Sequence, residues 1–125
     1  CREKLCPVIQ LFPYESFEQA VADAKTNLLW EGAGHTSVNY TNDTEKAEYV
    51  GHELPVGRLV VNQAGGAASG GNYINGLHPT MSLGCGSWGN NSISENLTYK
   101  HLMNTTRLAY YHDCTMPELD EVWKL

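Results

Sequence analysis

The 125-residue chain is short of charge: Asp, Glu, Lys and Arg make up 18% of it, against roughly 25% in an ordinary soluble domain. The shortage is local. Between Arg58 and Glu95 no residue is charged, and eight of the twelve glycines fall inside that stretch. Basic residues are the scarcer sign, 8 against 14 acidic for a net charge of −6, and they form no run. That scarcity argues against a nucleic acid or an anionic membrane surface as partner, since both are recognised through clustered Lys and Arg. No apolar run approaches the ~20 residues of a membrane span, and nothing at the start has the basic-then-apolar pattern of a signal peptide. What is present can bury a core: 42% of residues are hydrophobic, with three Trp and seven Tyr, which speaks against disorder.

Cysteine is sparse as well. Cys1, Cys6, Cys85 and Cys114 show neither a CxxC pair nor a Cys/His zinc spacing, so no metal site is expected. Four thiols in a chain of this length fit a reduced, cytoplasmic protein better than a disulfide scaffold. Five NxS/T sequons, at Asn39, Asn42, Asn90, Asn96 and Asn104, point the other way, toward a secreted glycoprotein. Residue 1 is Cys, and an apolar run begins within four residues of it. The sequence is therefore expected to be a piece of a longer chain.

The periodicity predicts an α/β unit of three strands and two helices. Residues 5–12, LCPVIQLF, read as a buried strand closed by Pro13. Ser16 followed by Gln19 has the form of a capping box, and Phe17, Ala20, Val21, Ala24 and Leu28 recur at helical spacing up to about Glu31, before Gly32. A second strand is expected over 36–41. A second helix is expected to be capped by Asn42, with Glu45 three positions on, and to end at Pro55. RLVVN, 58–62, is the third strand. This βαβαβ order is that of a parallel sheet with crossover helices. The next stretch, 64–92, reads as a long Gly-rich loop, and loops of that length commonly carry function. A short helix over 96–104, an extended segment over 106–111 and a final helical turn over 117–124 complete the expectation.

Two groups in this frame can carry chemistry. His35, in Gly34–Ser37 at the mouth of a strand, can exchange a proton near neutral pH, or can simply close a turn. Cys85, between Gly84 and Gly86, suits a nucleophile approached by substrate and backbone N–H groups, or a small buried hydrophobe. The Gly-rich segments match neither a phosphate-binding GxxxxGKS loop nor a GxGxxG turn in βαβ context, and fit a neutral backbone lining for a cleft. His52, His78, His101 and His112 have no ligand spacing and read as structural or solvated. Arg58 is the only cation near the loop and lies within a strand, so no clear anion partner is offered.

EKLCPVIQLF from residue 3, GAGHTSVNYTND at 32–43, GRLVVN at 57–62 and LGCGSWGNNSISEN followed by KHLMN at 83–104 together resemble the C-terminal half of the catalytic domain of CoA-acylating aldehyde dehydrogenases. That family includes the aldehyde-dehydrogenase part of bifunctional aldehyde-alcohol dehydrogenases and single-function relatives acting on succinate semialdehyde or sulfoacetaldehyde. The resemblance implies that residues 1–125 are part of an aldehyde dehydrogenase catalytic domain with a parallel βαβαβ core, a Gly-rich loop and an extended C-terminal oligomerisation segment. It implies NAD or NADP as cofactor, coenzyme A as co-substrate, a small aldehyde and its acyl-CoA as substrates, an enzyme thioester, and a homo-oligomer.

By motif, Glu3 matches the glutamate that hydrogen-bonds the nicotinamide ribose. His35 matches the histidine beside the thioester, and Gln63, Ser69, Gly84, Cys85 and Gly86 fall on the substrate and CoA cleft. Cys85 matches a family cysteine that is not the nucleophile. The nucleophile and the coenzyme domain are expected upstream of residue 1, so the segment alone is expected to be inactive. After GRLVVN the loop resembles the single-function relatives, which suggests a small carboxylated or sulfonated aldehyde. A non-catalytic ligand-binding module and a secreted glycoprotein domain are the readings from other classes.

Overall fold

The computed structural model describes residues 2–115; the helical turn expected over 117–124 lies outside the described residues. Ser16 starts helix α1, Phe17–Trp30, by accepting the Gln19 N–H on Oγ at 3.1 Å. The reciprocal arm of the box reaches one residue further than expected, with Gln19 Oε1 accepting the Glu15 N–H at 3.0 Å. The helix ends at Glu31, and Gly32 takes φ +103°, a left-handed turn that opens the way into strand β1, Gly34–Asn39. Helix α2, Thr44–Glu53, is capped by Asp43 rather than Asn42: Asp43 Oδ1 accepts the Lys46 N–H at 3.2 Å, and the Thr41 hydroxyl accepts the Asp43 N–H. Strand β2, Val56–Val61, follows two residues later.

β1 and β2 pair in parallel, Gly34 opposite Val56 and Asn39 opposite Val61, so α2 is the crossover of a βαβ unit. Asn62 prolongs the ladder by other means. At φ +53° its side chain turns toward Thr41, Oδ1 accepting that residue's N–H at 2.9 Å and Nδ2 donating to its carbonyl at 2.7 Å. One side chain thereby pairs both backbone groups of a residue beyond the strand.

The strand expected over 5–12 does not form. Leu5 sits at φ +47°, Val8 N–H closes a tight turn onto the Cys6 carbonyl across Pro7, and Leu5, Ile9 and Leu11 remain exposed. Apolar, β-branched composition alone makes no strand. A ladder partner is required, and Pro7 has no N–H to give one. The core is correspondingly small, with Val21, Val50 and Leu54 buried between the helices and Phe17, Ala24, Leu28, Val56 and Leu59 packed against them.

Beyond β2 the chain makes one helical turn, α3, Gly65–Ala68, and 3₁₀ turns at Ser87–Gly89 and Tyr99–Leu102. The helix expected over 96–104 is reduced to the second of these turns, because Asn96 bridges antiparallel to Leu83 and so belongs to the loop. Asparagines organise the uncharged stretch. Asn75 Oδ1 accepts the N–H groups of Asn72 and Leu77 while Nδ2 donates to the Ala68 carbonyl and Gln63 Oε1. Asn96 Nδ2 donates to the Ser69 and His78 carbonyls at 3.0 and 2.9 Å. Residues 104–115 carry no helix or strand and lie exposed.

Leu54→Ala is expected to cost about 2–5 kcal/mol, a large share of so small a core, and Asp43→Ala about 1 kcal/mol. Urea unfolding followed by far-UV circular dichroism measures both, with the larger shift in midpoint at Leu54.

Candidate active site

Alternation along β2 turns Arg58 and Val60 to the buried side. Arg58 is 4% exposed, and its guanidinium is held by neutral acceptors. Nε donates to Thr36 Oγ1 at 3.2 Å, Nη1 to the Gly84 carbonyl at 2.9 Å, and Nη2 to the His35 carbonyl at 2.9 Å and more weakly to that of Gly34 at 3.4 Å. No carboxylate pairs with it among the described residues. Burying a guanidinium is costly unless its donors are met, and here backbone carbonyls from β1 and from the Gly84–Gly86 segment meet them. The side chain therefore ties that loop to the start of β1.

Glycines let the backbones close on this tie. A Cβ on Gly34, which sits at φ +84°, would stand 2.0 Å from the Cys85 carbonyl oxygen; one on Gly57 would meet the Gly34 oxygen at 2.9 Å, and one on Gly84 the Ile93 oxygen at 2.3 Å. Cys85 thus lies against the residue that precedes His35. Its own backbone is pinned from both sides, its N–H donating to Asn91 Oδ1 and its carbonyl accepting from Gly89.

His35 faces outward. It shares a groove of roughly 580 Å³ with Glu3, Ile9, Asn27, Glu31 and Thr36, so two of the residues singled out in the sequence meet there despite the 32 positions between them. The groove wall is fixed by the Glu3 N–H, which donates to Glu31 Oε2 at 2.7 Å. His35 Nδ1 lies 3.1 Å from Thr36 Oγ1. Gln63 stands elsewhere, just past the carboxyl end of β2, where its Oε1 accepts from Asn75 and its carbonyl from the Tyr40 hydroxyl. Ser69 is buried, its carbonyl taken by Asn96. Gly84, Cys85 and Gly86 gather behind β1 at the amino ends of the strands, the end opposite Gln63.

Succinate-semialdehyde dehydrogenase (acetylating) of Clostridium kluyveri is 49% identical over 124 residues, covering 98% of this chain and 27% of that protein. Sulfoacetaldehyde dehydrogenase (acylating) of Cupriavidus necator is 42% identical over 107 residues, covering 86% and 22%. The homologues of this chain are acylating aldehyde dehydrogenases. A crystal structure of a probable aldehyde dehydrogenase from Listeria monocytogenes superposes with a TM-score of 0.81 at 34% identity, over 97% of this chain and 26% of that one. The structural neighbours of the α/β architecture described above are therefore aldehyde dehydrogenases, matched over one segment of their length. No family model matches the chain. The chain spans about a quarter of the length of the curated relatives it matches.

In the sequence Arg58 stands out only as the cation nearest the loop, and Thr36 only as part of the Gly34–Ser37 signal; neither shows there the role the fold gives it. The available signal was parity, since an arginine sharing the inward face of a strand with Val60 has to find acceptors inside. Two sequons also change meaning. Asn96 is 4% exposed with Nδ2 committed to two carbonyls, and the Asn39 Nδ2 is buried, so neither nitrogen is free to carry a glycan in the folded chain. Cys6, Cys85 and Cys114 are unpaired thiols.

Gly34→Ala combines a disfavoured φ with a backbone collision and is expected to cost about 2–4 kcal/mol. It is also expected to loosen the Cys85 loop. Thiol labelling mapped by mass spectrometry would show this as faster modification of Cys85, with Cys6 and Cys114 unchanged.

Proposed function

We propose that this chain is the His35-bearing part of the catalytic domain of an NAD(P)-dependent, CoA-acylating aldehyde dehydrogenase, which interconverts a small aldehyde and its acyl-CoA through an enzyme thioester. The observation that carries the reading is the meeting of Glu3 and His35 in one groove, on a chain whose homologues are acylating dehydrogenases. The partial character of the segment has physical support. A two-stranded parallel sheet leaves edges and faces that parallel sheets normally bury, and Leu5, Ile9, Leu11, Leu108 and Tyr111 are each more than three-quarters exposed.

In this reading the nicotinamide cofactor supplies hydride transfer. Glu3 would hold it: with its backbone N–H already given to Glu31, its carboxylate oxygens suit the paired O–H donors of a ribose. His35 projects into the same groove and would orient the acyl group or the CoA thiol. Gly84, Cys85 and Gly86 form the neutral wall behind it. The contacts of Cys85 are those of a fixed backbone, which accords with a nucleophile supplied from outside this segment. Arg58 is spent on carbonyls, so an anionic aldehyde would find its counter-charge elsewhere. No helix among the described residues is long and apolar enough to cross a membrane. On the family resemblance, and not on that absence, we propose a cytoplasmic, homo-oligomeric parent enzyme.

The 125-residue chain assayed alone is expected to show no acyl-CoA-dependent NADH oxidation. Substituted for the matching segment of the Clostridium kluyveri enzyme, it is expected to support that reaction, and His35→Ala in the chimera to slow it about 10²-fold or more. Turnover by the isolated chain that disappears with Cys85→Ser would overturn the proposal.

A further inference from the structure

Thr36 stands between two groups that decide where its single hydroxyl hydrogen points. Arg58 Nε lies 3.2 Å from Oγ1 on one side and His35 Nδ1 3.1 Å from it on the other. A guanidinium has donors only, so Oγ1 is the acceptor in the first contact. A hydroxyl that accepts from a charged donor is polarised, and its own O–H becomes the stronger donor. The neutral imidazole has one accepting nitrogen, and Nδ1 is the nitrogen within reach.

We propose that Arg58, acting through Thr36, is a positioning residue that fixes neutral His35 as the Nε2–H tautomer, so that the ring offers the groove a hydrogen-bond donor rather than a base. The Arg58 bond to the His35 carbonyl holds the backbone of the same residue, which makes the arrangement a two-point clamp. The substrate chemistry that fits an Nε2–H donor is an acceptor oxygen, such as that of an acyl carbonyl, and not the proton of a thiol. The catalytic consequence rests on the function proposed above; the tautomer rests on the two contacts of Oγ1 and on its polarisation by Arg58, which favours O–H donation to Nδ1 over acceptance from an Nδ1–H.

The chain carries its own spectroscopic reference. His101 Nδ1 accepts the Thr98 backbone N–H at 2.8 Å, which compels the Nε2–H form, and Nε2 lies 2.9 Å from Glu95 Oε1. Long-range ¹⁵N–¹H correlation of the imidazoles in the labelled 125-residue chain at about pH 8.5, well above the ordinary histidine range, is expected to give His35 the same nitrogen pattern as His101. Thr36→Val is expected to move the His35 tautomer ratio toward Nδ1–H by about three- to tenfold, the worth of one neutral hydrogen bond. Thr36→Ser is expected to restore it, and Arg58→Lys, which keeps the charge but not the fork, to give a smaller shift. An Nδ1–H ring in the unsubstituted chain, or a ratio unmoved by Thr36→Val, would overturn the proposal. Should Thr36→Val not fold, the unsubstituted spectrum and Arg58→Lys decide the matter. The two proposals fail separately. An Nδ1–H ring beside a rate loss in the His35→Ala chimera refutes the relay alone, and an Nε2–H ring beside an unchanged rate refutes the catalytic role alone.

Discussion

A guanidinium taken out of water with no carboxylate among the described residues to meet it is the constraint around which this chain is arranged. Arg58 enters the interior because β2 alternates, and once inside it has to satisfy a planar fork of donors. The acceptors come from three places: the Thr36 hydroxyl, the backbone at Gly34 and His35, and the Gly84 carbonyl. None of these can be supplied by apolar packing. The start of β1 and a loop nearly fifty residues further along the chain are therefore fixed to each other through one side chain. His35 inherits its position from that tie and not from the hydrophobic core, which lies between the helices.

The uncharged stretch that follows β2 would have few means of organising itself by ion pairs or by apolar burial. Asparagine takes their place, since its amide carries the same donor and acceptor as a peptide group. Asn62 extends the β1–β2 ladder, Asn75 and Asn96 gather loop carbonyls and N–H groups, and Asn91 caps the backbone at Cys85. Of the five NxS/T asparagines, Asn96 is one of these organising residues, and the absence of charge no longer reads as an absence of order.

The sequence was most legible where structure is local. Ser16 and Gln19, the apolar stripe from Phe17 to Leu28, and Pro55 after α2 all mark boundaries that depend on near neighbours, and the helices lie within a residue or two of expectation. Residues 5–12 misled, because a strand is defined by what pairs with it, and composition does not report a partner. Asn42 and Asp43 are adjacent cap-forming residues that composition does not separate; Asp43 caps, with its N–H held by the Thr41 hydroxyl. The site divides in the same way. His35 and Glu3 are candidates by motif that the fold brings to one groove, whereas Arg58 and Thr36 act across the sheet, where only strand parity hinted at their alignment.

Gly34, Gly57 and Gly84 form a wall in which backbone touches backbone with no side chain between. In a hydrophobic core a misfit is relieved by a neighbouring rotamer. Here the neighbour is a carbonyl oxygen, which has no rotamer to change. Substitutions at these glycines are thus expected to be strongly non-additive, and a single replacement has no compensating partner within one mutational step. Change is then more readily accommodated by the side chains that face the groove than by the backbone wall behind them.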